Sequence, residues 1–153
     1  MTIVDGSIVD LTFYYSLRLP STIINIVKNG NDIIQTTNGF IFADSEYKNP
    51  IGKFAFNINV YDVFREDIPI DITKPRTFQV TGTNVYFLPQ GTLSNSINLF
   101  FIKNAQGDFI VPSDSTNVYQ ILSGSGHFLN ASGFIVQLTD NFLGREMLVY
   151  FDK

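Results

Sequence analysis

The chain has 153 residues, 44% hydrophobic and 16% charged, with a net charge of −4 and no cysteine. That length suits one domain able to bury roughly 68–70% of the surface its unfolded chain exposes, and the apolar content argues against disorder. The missing cysteines exclude disulfides, thiolate nucleophiles and cysteine-based zinc sites, and ten Lys and Arg scattered from Arg18 to Lys153 give no footprint for nucleic acid or an anionic membrane surface.

In chain order, residues 1–10 carry Asp5 and Asp10 and lack a basic region followed by an apolar stretch, so they do not read as a signal peptide. No run reaches the ~20 apolar residues of a spanning helix, and a cytoplasmic or virion protein is expected. Residues 11–19 and 22–27 read as strands or an arm within an N-terminal stretch, 1–37. Turn chemistry at Asn29-Gly30-Asn31-Asp32, Asn38-Gly39 and Asn49-Pro50 brackets a short strand over 39–43. Residues 53–64 give the clearest signal, because Phe54, Phe56, Ile58 and Val60 alternate with Ala55, Asn57, Asn59 and Tyr61, a two-residue period that a strand with one buried face explains. Residues 65–75, REDIPIDITKP, read as a long irregular loop between two halves. Strands are expected over 77–88, 96–103, 117–122, 133–138 and 145–151, with turns at 89–91, 104–108 and 112–115.

Eight or nine strands and no helix imply an all-β sandwich or barrel. The alternating residues Phe54, Phe56, Ile58, Phe78, Val80, Leu99 and Phe101 are the expected barrel interior and the candidate lining of an apolar ligand cavity. Two late strands are apolar on both faces: Tyr119 and Ile121 oppose Val118 and Leu122, and Leu148 and Tyr150 oppose Met147, Val149 and Phe151. Their outer faces require a cover, which predicts a homo-oligomer.

Residues 121–134, ILSGSGHFLNASGF, carry the pattern G-x-G-x-F-x-x-A-x-G between two strands. This resembles the signature of the dirigent and allene oxide cyclase-like barrels; residues 48–53 resemble the opening of that family's first long strand, and 145–151 its closing strand. The resemblance covers about residues 38–151. It implies a closed antiparallel eight-stranded barrel, commonly trimeric, around an apolar cavity, with residues 1–153 forming a single domain. Two arginines that dirigent proteins carry at this corner are replaced by Leu129 and Ser132, so the resemblance does not extend to that activity. On physical grounds Gly124, Gly126 and Gly133 permit a tight corner in which Phe128 folds inward and Ala131 leaves it room, a structural turn motif.

Other chemistry-bearing residues are sparse. His127, the single histidine, reads as a solvated turn residue. Asp44 and Glu46 are the best acid/base candidates, while Glu66, Asp67 and Asp71 match no calcium-loop spacing. Asn57 and Asn59 share the polar face of their strand, and the sequon Asn130-Ala131-Ser132 matters only in a secreted chain. No catalytic residue, metal or cofactor is assigned. The expected function is that of a non-catalytic, oligomeric structural or interaction module, with other structural proteins as partners. The frequency of Ile, Asn and Phe, encoded by A/T-rich codons, is compatible with a virion component. The alternative is a binder, or a cyclase or isomerase, of a small apolar molecule in the barrel.

Overall fold

The computed structural model describes residues 8–29, 32–62, 76–103, 109–110, 116–139 and 144–152. Alternating side chains make ten strands among them: β1 (Leu11–Ser16), β2 (Ile23–Asn29), β3 (Asp32–Phe42), β4 (Pro50–Asp62), β5 (Arg76–Leu88), β6 (Gly91–Lys103), β7 (Phe109–Ile110), β8 (Thr116–Gly124), β9 (Gly133–Thr139) and β10 (Gly144–Phe151). All neighbours are antiparallel. Eight strands form a closed barrel in the order β1-β10-β9-β8-β6-β5-β4-β3, and β3 returns to β1 where Tyr14 meets Phe42. This is the all-β, eight-stranded architecture expected from the sequence. No helix among the described residues is long and apolar enough to cross a membrane.

Two strands lie outside that circuit, each because a barrel strand changes partner. β3 pairs with β2 from Asp32 to Asn38, yet with β1 at Phe42. The chain steps from β1 to β2 through a turn in which the Thr22 hydroxyl donates to the Ser16 carbonyl at 2.7 Å. Likewise, β6 pairs with β8 over Leu93 to Asn95 and with β7 at Ile102 and Lys103. The far halves of β3, β4, β5 and β6 therefore continue past the barrel as a sheet flanked by β2 and β7.

The core divides accordingly. At the closed end Phe13, Tyr15, Ile41, Phe54, Tyr86, Leu88, Leu93, Ile121, Phe128, Ile135, Met147 and Val149 form one buried cluster. Its aromatic rings fill the space: the Tyr15 and Phe54 centroids are 4.2 Å apart, and Phe13 and Tyr86 are 5.0 Å apart. A second cluster of Val60, Phe78, Val80, Ile97 and Tyr119 lies toward the extended sheet.

The glycine-rich segment is a corner. Gly126–Phe128 is a single 3₁₀ turn, Gly126 has φ 62°, and Phe128 enters the first cluster with Ala131 packed against it. A side chain at Gly124 would collide with the Phe128 backbone, so only glycine lets the turn close onto β8. Gly133 opens β9.

The structure corrects several sequence expectations. Asn38-Gly39 is no turn; both residues lie inside β3, which begins at Asp32 rather than residue 39. Gly39 is found there because a β-carbon would come within 2.9 Å of the Phe54 ring and of Thr22. β6 starts at Gly91 rather than residue 96, since Thr92 and Ser94 are outward residues alternating with inward Leu93. The loop over 65–75 and the turns at 104–108 and 112–115 fall outside the described residues. On the late strands Val136 and Tyr150 face outward but are buried within the single chain, at 0% and 8% exposure. Leu122 on the outer face of β8, by contrast, is 56% exposed, and a larger exposed apolar group is formed by Ile23, Ile24, Ile26 and Val27 of β2 and Ile34 of β3.

Because Phe54 is enclosed on all sides, Phe54→Ala is expected to destabilise the protein by about 3–5 kcal/mol. Leu129→Ala, at an exposed position, should shift stability by less than about 0.5 kcal/mol. Urea unfolding distinguishes them, and equal effects would contradict the packed closed end.

Candidate functional site

Strand parity places a band of polar residues across the middle of the barrel. On β5, Phe78 and Val80 belong to the second cluster and Tyr86 and Leu88 to the first; Asn84 shares their inward parity and lies between. On β6, Asn95 sits between Leu93 and Ile97, and on β3, Thr37 lies between Ile33 and Ile41. Gln137 on β9 and Arg145 on β10 continue the band, Arg145 facing Tyr15 across the β1–β10 ladder. Thr37, Asn84, Asn95 and Gln137 are all buried.

Hydrogen bonds tie only part of this belt together. The Tyr15 hydroxyl is 3.5 Å from Gln137 Oε1, Asn84 Nδ2 donates to the Tyr86 hydroxyl at 2.9 Å, and Gln35 Nε2 donates to Thr37 Oγ1 at 3.1 Å. Asn95 Nδ2 donates to the Ser96 carbonyl at 3.1 Å. The side-chain oxygens of Asn84 and Asn95 have no partner among the described residues. A buried acceptor left unmet costs about 1–3 kcal/mol, so these two atoms are where the belt calls for a donor from outside the chain.

The tyrosines of the belt hold their protons firmly. Burial pushes the Tyr15 hydroxyl up to about 12, although the charge and hydrogen bond of Arg145 pull it partly back. Burial raises Tyr86 well above 10.0, helped by Tyr15 and Tyr119 and opposed by the Asn84 hydrogen bond and Arg145. Tyr119 is likewise raised, first by burial and then by Tyr15, against Arg145. At neutral pH the belt thus offers, among the described residues, phenol donors, amide acceptors and one guanidinium, but neither a carboxylate nor an imidazole. This set can hold and orient polar groups; it supplies no general base of ordinary pKa.

The residues expected to line a cavity are divided between the two clusters. Phe54 is buried in the first, where Phe56, half-buried, stacks on it at 6.0 Å. Phe78 and Val80 belong to the second, with Ile58 packed against it. Leu99 and Phe101 pair through their backbones with Val80 and Phe78, but their side chains lie outside the described residues. Asn57 is exposed on the outer face, and His127 is exposed on the corner.

Asp44 organises a loop rather than a reaction: its oxygens accept backbone N–H groups of Glu46, Lys48 and Asn49 at 2.9–3.1 Å. Desolvation pushes its carboxyl up, but those backbone donors outweigh it and hold the group below the usual carboxylate range. Glu46 pairs with Lys48 at 3.0 Å. The loop borders an open cleft of about 200 Å³ lined by Tyr14, Ser45, Tyr47, Leu138, Gly144, Arg145 and Glu146. Glu66, Asp67 and Asp71 lie outside the described residues, among which no group of three or more His, Asp or Glu is placed to hold a metal ion.

Sequence reasoning missed the belt, though it left a trace. Asn84, Asn95 and Arg145 each stand at the parity of their strand's apolar residues, a polar interruption of the inward face.

No family model and no curated protein matches the chain. Nine solved chains resemble it in fold. One is described as pyocyanin demethylase, with a TM-score of 0.56 and 9% identity, the match covering 93% of this chain and 98% of that one. At that identity the likeness concerns the fold alone, a β-barrel.

The raised tyrosines set an alkaline limit on stability. Since Tyr15 titrates near 12 in the folded chain against 10.0 when unperturbed, its contribution is complete below pH 10 and is lost as pH rises from 10 toward 12, by up to about 1.4 kcal/mol per pH unit. Urea unfolding across that range should show the decline, and Tyr15→Phe should make it shallower while Tyr86 and Tyr119 keep part of it. Phenolate absorbance appearing with ordinary pKa values before unfolding would contradict the buried belt.

Proposed function

We propose that the barrel binds a small, largely apolar molecule bearing one polar group, which docks at the belt while its apolar body lies against the second cluster. The observation that supports this most is the pair of buried, unpartnered amide oxygens on Asn84 and Asn95. Native interiors meet nearly every buried polar atom, by protein, ordered water or ligand. A mainly apolar surround with a few convergent polar groups is the usual make-up of a small-molecule site. The fold neighbour is by its name an enzyme acting on a small compound, which fits the class of ligand. We further propose, on the glycine corner of 121–134, that the chain is a divergent single-domain member of the dirigent and allene oxide cyclase-like barrels. Binding is the function inferred, because the described belt residues supply no carboxylate or imidazole acid/base pair for a cyclase or isomerase.

A second reading, as an oligomeric structural or interaction module, is favoured by the exposed Ile23, Ile24, Ile26, Val27 and Ile34. A homotrimer, or a partner in the cytoplasm or a virion, would use that face. Sedimentation then gives a mass above one chain, and Ile24→Lys with Val27→Lys returns the monomer; a wild-type monomer at high concentration contradicts it.

For the first reading, the methyl resonances of Val80 and Ile97 should shift saturably when naphthalene is titrated into the protein. Shifts confined to Ile24 and Ile26 of β2 would show surface adsorption and overturn it.

A further inference from the structure

We propose that the polar group taken by the belt is an uncharged NH₂, as in a primary aromatic amide or an arylamine, held by the side-by-side amide oxygens of Asn84 and Asn95. This rests on the reading of the interior as a binding site and specifies its ligand.

Asn84 and Asn95 are directly opposed in the β5–β6 ladder and point to the same inward face. Opposed residues in an antiparallel pair have their β-carbons about 4.5–5.5 Å apart, so the two amides are neighbours. Both are more than nine-tenths buried, at 3% and 0% exposure. The orientation of Asn95 follows from its partner. The Ser96 carbonyl can only accept, which commits Asn95 Nδ2 to it at 3.1 Å and leaves Asn95 Oδ1 as an acceptor. Asn84 is placed with its nitrogen donating to the Tyr86 hydroxyl, so its oxygen is the second acceptor, on the residue opposed to Asn95.

Two adjacent acceptors discriminate among head groups. A hydroxyl brings one hydrogen and leaves one oxygen unmet. An ammonium or metal cation meets both but enters a low-dielectric interior that the Arg145 guanidinium faces from across the barrel, its charge felt at Tyr15, Tyr86 and Tyr119, with no carboxylate among the described belt residues to offset it. A neutral NH₂ satisfies both oxygens without adding charge. The adjoining Phe78, Val80, Ile97 and Tyr119 give the rest of the ligand an apolar, partly aromatic surface, which suits an aromatic ring.

Calorimetric titration of the intact protein with benzamide, N,N-dimethylbenzamide and benzylammonium tests this. Benzamide is expected to bind about tenfold or more tightly than either of the others. Asn95→Leu should abolish that preference and raise the thermal midpoint, since a side chain of similar volume replaces an unmet acceptor. Equal affinity for benzamide and its dimethyl analogue in the wild-type protein, the result expected if water alone serves the two oxygens, overturns the NH₂ assignment and leaves interior binding standing. Failure of all three probes to bind overturns both. The wild-type comparison decides the matter even if the variant does not fold.

Discussion

The rest of the structure depends on where β3 exchanges one partner for another. From Asp32 to Asn38 it is paired with β2, and at Phe42 it meets β1, which is itself laddered to β10. That exchange closes eight strands into a barrel at one end while the same long strands run on as an open sheet. Closure removes two unpaired strand edges and encloses the aromatic cluster around Phe13, Tyr15, Phe54 and Tyr86. Once the closed end is packed solid, polar interior residues can be placed only at the level where barrel gives way to sheet.

That level is where the belt lies. Its residues sit at core positions that an apolar side chain would fill at less cost, since a buried amide needs every hydrogen bond met to break even. Around β1, β9 and β10 the cost is offset by contacts among Tyr15, Gln137 and Arg145. Across the barrel on β5 and β6 it is not, and Asn84 and Asn95 keep unmet oxygens. Stability is thus drawn mostly from the first cluster, and the unmet polar atoms lie in the belt beside it.

Much of the architecture was legible in the sequence because alternation is a local signal. Phe54 to Val60 declared β4, and the run through Phe78 and Val80 declared β5. The glycine spacing at 124, 126 and 133 marked the corner on which Phe128 turns inward. The site was hidden for a related reason. In a strand, Asn84 looks like any outward polar residue until the direction of its face is known, and that depends on ladders formed with distant residues. Phe54 stands among the alternating residues expected to line a cavity, whereas its ring packs on Tyr15. Asn38-Gly39 misled because its turn chemistry was overridden by crowding between β3, the Phe54 ring and Thr22.

Electron density at high resolution around the inner faces of β5 and β6 tests the central claim most directly. A layered interior with unmet acceptors predicts a non-protein group within hydrogen-bonding distance of Asn95 Oδ1, on the barrel side of the sheet. Density showing Asn95 turned to the outer surface, or its amide oxygen taking a hydrogen bond from the chain itself, would contradict it.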